Sequence, residues 1–332
     1  MFCIILTFRQ CLRKTCHALR NRINEIKPEP KVIGISITIL PGIIWVNYEE
    51  SRSGRGSYIV YKPEKEGYSI RSDRNINWKY VEGMDYIIAF CTDFSYALVH
   101  LKVTLRQFTI GSFQKFTLSH PVEIKRSEHK ERFGKDVKNF LEQLNGILSN
   151  RRTLIRSNIF CMEIIGKNQL MKVLPYIKLV GSKSITITDS EDILKKFEME
   201  ELMKSEQWNQ AARLSITGHF KSLPLLQNFA HFQDIEIGIG RITAEIYLKL
   251  KDTFLHSTAL NKFSINYKHE EDNMIQLLKR SIEFCDNDTV AHFKTPDGAR
   301  VVSIWLSPES NGKLSCDFTD IKGFHSFDAI IQ

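Results

Sequence analysis

Two periodicities alternate along the second half of this chain. Short stretches with apolar residues at every second position recur at 160–165, 184–188, 213–217, 234–239, 262–267 and 301–306, the period expected of strands with one buried face. Between most of them lie stretches with helical spacing, at 169–177, 199–209, 244–255 and 274–284, and a shorter one at 223–229 with Pro224 near its first position. Ile164, Ile187, Ile216, Ile237 and Ile265 mark the repeat, separated by 23, 29, 21 and 28 residues. One strand and one helix per roughly 20 to 30 residues is the leucine-rich-repeat type of solution. The pattern therefore predicts a degenerate leucine-rich-repeat-like strand–helix array, an α/β half whose irregular spacing leaves its curvature open.

Links of this length between strands are crossovers, so the strands should be parallel. One face of each is apolar: Ile185 and Ile187, Leu214 and Ile216, Ile235 and Ile237, Phe263 and Ile265. That face should cover a layer of helices. The opposite face carries Thr186, Ser215, Thr217, Glu236, Ser264 and Asn266. An exposed face on parallel strands is uncommon outside open repeat arrays, where it serves as a binding surface. These six residues are the candidate target-binding face.

The first half reads differently. Ile33, Ile35, Ile37 and Ile39 alternate with small or polar residues, Pro41-Gly42 marks a turn, and 43–48 is the return strand. A second hairpin is expected from 58–61 and 68–71 around Glu66-Gly67. An apolar run at 84–91 precedes a helical reading of 94–103, and 107–110 supplies another short strand. This is a β-rich α+β domain over 31–122. The charged stretch 123–136 marks a linker or an exposed helix start, and Val137, Phe140, Leu141, Leu144 and Leu148 continue at helical spacing into a repeat domain over 137–320. Before all of this, 8–26 forms a basic amphipathic helix candidate: Leu12, Cys16, Leu19 and Ile23 share one stripe, and Pro28 and Pro30 close it.

Charge and cysteine usage narrow the function classes. The net charge of +8 is unevenly spread. Residues 1–31 hold seven Lys/Arg against Glu25 and Glu29, and 125–138 hold six against three acids. Two local clusters fit solvated helix faces better than one nucleic-acid surface. Seven scattered cysteines without a C-x-x-C pair argue against a disulfide framework or a zinc site and favour a reducing, intracellular location, cytoplasmic or nuclear. No stretch approaches membrane-span length. Neither nucleic acid nor membrane is expected as a partner.

Enzymatic signatures are absent from the sequence. It has no phosphate-binding P-loop, no H-E-x-x-H and no G-x-S-x-G. Gly238-Ile239-Gly240 follows a strand, but position 243 is Thr, so it reads as a turn after the strand rather than a dinucleotide loop. His231 reads as packing, Cys161 and Cys285 as small hydrophobes, and Trp208 as a core residue rather than an anchor. No cofactor or metal is expected, and no catalytic residue is assigned.

A family resemblance can now be stated. Glu206-Gln207-Trp208-Asn209-Gln210-Ala211 followed by Leu214-Ser215-Ile216 resembles the signature of the nematode F-box-associated FTH domain. Its flanks agree: Val173-Leu174-Pro175-Tyr176-Ile177 before Ile185-Thr186-Ile187, and Phe229 and Phe232 before Ile235-Glu236-Ile237. The likeness covers roughly residues 137–275. Leu12-Arg13-Lys14-Thr15-Cys16-His17-Ala18-Leu19-Arg20-Asn21 is similar to the last helix of an F-box. The resemblance implies a non-catalytic substrate-recognition subunit of an SCF-type ubiquitin ligase, with the Skp adaptor as one partner and an unknown target protein as the other. A full F-box opens with a Leu-Pro helix, and no such helix precedes Leu12 here. Either Leu12, Cys16 and Leu19 hold adaptor contacts, or they pack against the β-rich segment. The corresponding alternative function is an adaptor-free binding protein or decoy that keeps only the repeat domain.

Overall fold

The computed structural model describes residues 32–50, 56–73, 75–99, 101, 103–111, 128–164, 168–189, 196–220, 226–257, 259–270, 290–294, 300–307, 312–320 and 330–331. The helix read at 8–26, with Leu12, Cys16 and Leu19, lies outside them, as does that at 274–284. The architecture is mixed α/β, rich in strands and with few helices. The chain divides into two compact units, Met1–Gly181 and Ser182–Gln332.

In the first unit, β1 (Gly34–Leu40), β2 (Ile43–Glu49), β3 (Gly56–Glu64), β4 (Gly67–Ser72) and β5 (Lys79–Glu82) form an antiparallel meander. β6 (Leu105–Gly111) lies parallel to β1 on its other side, and β7 (Ile155–Ile164) lies parallel to β6. Both hairpins read from the sequence are present. The core face of the meander is made by Ile35, Ile37, Ile44, Val46, Ile59 and Tyr61. Against it packs α1 (Tyr86–Val99), and α2 (Glu128–Ser149) lies beside α1, with Phe90 stacked on Phe94 and 5.5 Å from Phe140.

Helix α1 starts eight residues earlier than its helical spacing suggested and absorbs the apolar run at 84–91. The reason is a cap. Asp85 Oδ1 accepts the backbone N–H groups of Ile87 at 2.8 Å and Ile88 at 3.2 Å, satisfying donors that the first turn cannot pair internally. The run is apolar nearly throughout because its residues pack on two partners. Tyr86, Phe90 and Phe94 are buried at successive turns, and so are Ile87, Cys91 and Leu98. Helix α2 begins at Glu128, inside the charged stretch, and its buried residues Phe133, Val137, Phe140, Leu141, Leu144 and Leu148 keep the spacing read from the sequence.

The second unit begins within β8 (Ile177–Asp189). β9 (Arg213–Phe220), β10 (Asp234–Ile242) and β11 (Lys262–Glu270) follow it side by side, all parallel. The crossovers hold α3 (Lys196–Lys204) and α4 (Glu206–Gln210), then a 3-10 turn (Leu226–Phe229), then α5 (Ala244–Leu255). The single helix expected at 199–209 is thus two, separated at Ser205. The helix expected at 169–177 is two 3-10 turns, Leu170–Lys172 and Leu174–Tyr176, with Pro175 in the second; proline has no N–H with which to extend an α-helical ladder.

The strand read at 301–306 does not continue the parallel series. It is β13 (Arg300–Ser307), antiparallel to both its neighbours, β12 (Val290–Lys294) and β14 (Gly312–Asp320). β14 in turn pairs antiparallel with β11, and β15 (Ile330–Ile331) pairs parallel with β12.

One buried polar contact stands inside the first unit. Tyr61 Oη donates to Asp93 Oδ2 at 3.0 Å, joining the middle of β3 to α1. Burial pushes the Tyr61 phenol well above its usual range, and the Asp93 carboxylate adds to the shift, so the phenol remains a donor at any physiological pH. Replacing Tyr61 by Phe keeps the ring but removes a donor from a buried carboxylate. Urea unfolding of Tyr61→Phe should show a loss of about 1–3 kcal/mol, with the far-ultraviolet circular dichroism of the native state unchanged.

Candidate protein-binding face

The face is built on an apolar ladder. Ile185, Leu214, Ile235 and Phe263 stand in one register row, and Ile187, Ile216, Ile237 and Ile265 in the next. Each is at most 2 % exposed. Side chains alternate along a strand, so burying this set places every intervening residue on the opposite side.

The crossovers fix this register. Ala212 N–H donates to the Lys183 carbonyl at 2.8 Å, Gln233 N–H to the Ala212 carbonyl at 2.7 Å, and Asn261 N–H to the Gln233 carbonyl at 2.7 Å. Lys183, Ala212, Gln233 and Asn261 each stand one residue before the first paired residue of the parallel rung. Two residues before the strand stand Ala211, Phe232 and Leu260, all buried. The same local solution thus closes three crossovers of different length.

Glu206 to Ala211 has a structural explanation. Ser205 Oγ accepts the backbone N–H of Trp208 and so caps α4. The Trp208 indole meets Phe232 edge-on at 4.9 Å and Phe229 at 5.5 Å, and its Nε1 donates to the Asn228 carbonyl at 3.3 Å. His231 lies against Phe232 with Nε2 3.0 Å from the Trp208 carbonyl oxygen. Trp208 and His231 are therefore packing residues.

The polar side has three rows. Ser184, Arg213, Asp234 and Lys262 form the first, Thr186, Ser215, Glu236 and Ser264 the second, and Thr188, Thr217 and Asn266 belong to the third. Of the six candidate residues, Thr217 is exposed, while Thr186, Ser215, Glu236 and Asn266 are half-buried. Ser264 is different. It is 2 % exposed, and its Oγ has no hydrogen-bond partner among the described residues. The structure brings the six together on one face but withdraws Ser264 from contact.

Three charged residues of this face escaped the sequence reading. Arg213 and Asp234 form an ion pair, Nε to Oδ2 at 2.9 Å, and exposed Lys262 stands next to Asp234. Their signal was available, since each opens a strand two positions before a named polar residue. Below them Asn266 Nδ2 donates to Glu236 Oε1 at 3.4 Å, and Thr217 Oγ1 to the Ile187 carbonyl at 3.4 Å. The face is thus hydroxyl-rich with paired charges.

Gly238-Ile239-Gly240 is not a turn: β10 runs through it to Ile242. A Cβ on Gly238 would collide with the Gly218 carbonyl oxygen, where the pairing of β10 with β9 shifts register between Ile237 and Ile239. Close backbone approach at an irregularity is what the glycine serves.

Cys91 is buried, and burial with the nearby Asp85 carboxylate pushes its thiol up to about 12. Such a thiol is not a nucleophile at neutral pH. Half-buried Cys161 accepts a contact from Gln107 Nε2 at 3.5 Å.

Residues 138–280 match the FTH domain family. The chain is also similar to F-box A protein 224 of Caenorhabditis elegans, 23% identical over 253 residues, which are 74% of this chain and 57% of that protein. It thus aligns with little more than half the length of this relative. No solved structure matches the chain.

Two substitutions separate packing from presentation. Trp208→Ala should cost about 3–5 kcal/mol, read from chemical unfolding, because it empties a buried aromatic cluster. Gly238→Ala forces the backbone of β9 away and should cost about 1–3 kcal/mol or more in the same measurement, although it changes no polar side chain of the face.

Proposed function

We propose that this chain, a nematode F-box protein with an FTH domain, is a non-catalytic protein-interaction subunit that holds its target on the polar face of β8–β11. The supporting observation is the register itself. Thr186, Ser215 and Glu236 stand side by side with Thr217 and Asn266 below them, on strands whose reverse faces are wholly buried. Strands so held present their outer side chains at fixed spacings of about 4.8 Å, a preorganised surface that loses little entropy on binding. The array is read as a degenerate leucine-rich-repeat-like stack of β8, β9, β10 and β11 with their crossovers.

The resemblance of 12–21 to an F-box helix supports the finer reading, a substrate receptor of an SCF-type ubiquitin ligase working inside the cell. Its Skp adaptor would be met through Leu12, Cys16 and Leu19. The alternative is an adaptor-free binder that keeps only the repeat face.

One experiment separates these readings. Affinity purification from nematode extracts compares the wild-type chain with a Thr217→Arg/Glu236→Arg variant, followed by quantitative mass spectrometry. The wild type should recover the Skp adaptor together with a reproducible set of target proteins. The variant should keep the adaptor, lose the targets at least tenfold and unfold at an unchanged denaturant midpoint. Absence of the adaptor from wild-type samples would remove the ligase role and leave the adaptor-free binder. An identical protein set from both chains would remove the binding face.

A further inference from the structure

The link between α2 and β7 carries a positive charge that no carboxylate answers. Between Glu142 and Glu163 the chain has no acidic residue, and Arg151, Arg152 and Arg156 all fall in this interval. Among the described residues none of the three arginines forms an ion pair. Thr153 stands in the middle of the link. It is exposed, as are Arg152, Leu154 and Arg156, and the segment from Asn150 to Leu154 belongs to neither helix nor strand. An enzyme that needs an open stretch of chain finds one here.

Arg151 is aimed at this threonine. Its Nε donates to the Thr153 carbonyl at 3.1 Å, and its Nη2 donates to Thr153 Oγ1 at the long distance of 3.5 Å. Its Nη1 is buried and has no hydrogen-bond partner among the described residues. A buried donor without an acceptor is costly, more so when it is charged. Partial burial also pulls the guanidinium pKa down from its usual value, and no anion offsets the pull. The side chain is thus a half-buried cation with donors to spare, held within reach of an exposed hydroxyl.

One effect opposes an anion here. Helix C-termini disfavour negative charge, and α2 ends at Ser149. Its last carbonyls are already engaged. That of Gly146 accepts Asn150 Nδ2 at 2.8 Å and Ser149 Oγ at 3.1 Å, and that of Leu148 accepts the Arg151 N–H at 3.2 Å. The dipole acts within the last turn, whereas Thr153 lies four residues beyond it with Arg151 between them in the chain. The direct contact with Arg151 therefore outweighs the helix end.

We propose that Thr153 is a phosphorylation site whose phosphate is held by the Arg151 guanidinium. The γ-phosphoryl group of a nucleoside triphosphate passes to Thr153 Oγ1. A P–O bond to Oγ1 forms, the bridge to the departing diphosphate breaks, and the hydroxyl proton goes to the base of the kinase. The kinase has an acidic peptide groove, because its acceptor is flanked by three arginines and no acid. The product brings three acceptor oxygens and nearly two negative charges to a cation that lacks both. The site uses no residue of the polar face, so it stands or falls apart from the binding role.

Phosphopeptide mapping of the full chain, incubated with nematode extract and ATP, tests the modification. Thr153 should carry phosphate, and Thr153→Val should remove that peptide from the map. An unmodified Thr153 would overturn the proposal, whether or not the free peptide 148–158 is labelled. Phosphorus-31 magnetic resonance on a chain made with phosphothreonine at 153 tests the holding. In the folded chain Arg151→Met should raise the second pKa of the phosphate at least twice as far as Arg152→Met, because only Arg151 is fixed against Thr153. In urea the two variants should act alike. Equal effects in the folded chain would overturn the role of Arg151. Arg151→Lys, which keeps the stem and the charge, should leave the phosphate close to its wild-type value; a rise as large as that of Arg151→Met would also overturn it.

Discussion

Register between parallel strands is the constraint on which the second unit depends. A strand shifted by one residue would turn Ile187, Ile216, Ile237 or Ile265 outward and bring a threonine, serine or glutamate into the core. Burying such a polar side chain without a partner costs about 1–3 kcal/mol or more, above the roughly 1 kcal/mol that spans the whole scale of strand propensity. The apolar ladder thus does two jobs at once. It supplies the burial that holds the rung together, and it determines which side chains stand on the outside. The carbonyls of Lys183, Ala212 and Gln233 reinforce it from the backbone, each receiving the N–H of the next crossover.

The first unit solves its packing by another route. Its meander is local in sequence, and its core joins β3 to α1 through a phenol–carboxylate contact as well as through aromatic edges. Tyr61, Phe90, Phe94 and Phe140 form a chain of rings from sheet to helix to helix. Helix α1 is the common member of these contacts, which explains why its sequence is apolar on more than one side.

Much of this was legible in the chain because alternation is a strong signal. Ile35, Ile37 and Ile39 and the x-Ile-x-Ile strands fall where the period of two places them, and Ala244–Leu255 coincides with its helical spacing. Helix ends were harder, since single hydrogen bonds decide them. Asp85 lies in an apolar run that could equally be a buried strand, and only its bonds to Ile87 and Ile88 start a helix there. Ser205 divides two helices that share one apolar pattern. Gly238 looked like a turn because a glycine's usual signal is a bend, whereas here it admits a neighbouring backbone. The polar face was legible as a set of six, but the burial of Ser264 was not, because alternation assigns a side chain to one side of a sheet without fixing how exposed it is there.

The closing bonds at Lys183, Ala212, Gln233 and Asn261 have a consequence for how such a chain tolerates change in length. Spacings of 29, 21 and 28 residues between successive rungs end in the same backbone geometry. Insertions and deletions between rungs are therefore absorbed on the helical side, in the crossovers that hold α3 and α4, the 3-10 turn, or α5. The outer face is insulated from them. Its residues can be exchanged one at a time without disturbing the stack, and the stack can be rebuilt from behind without moving the face. Side chains on that face can thus vary independently of the crossovers behind them.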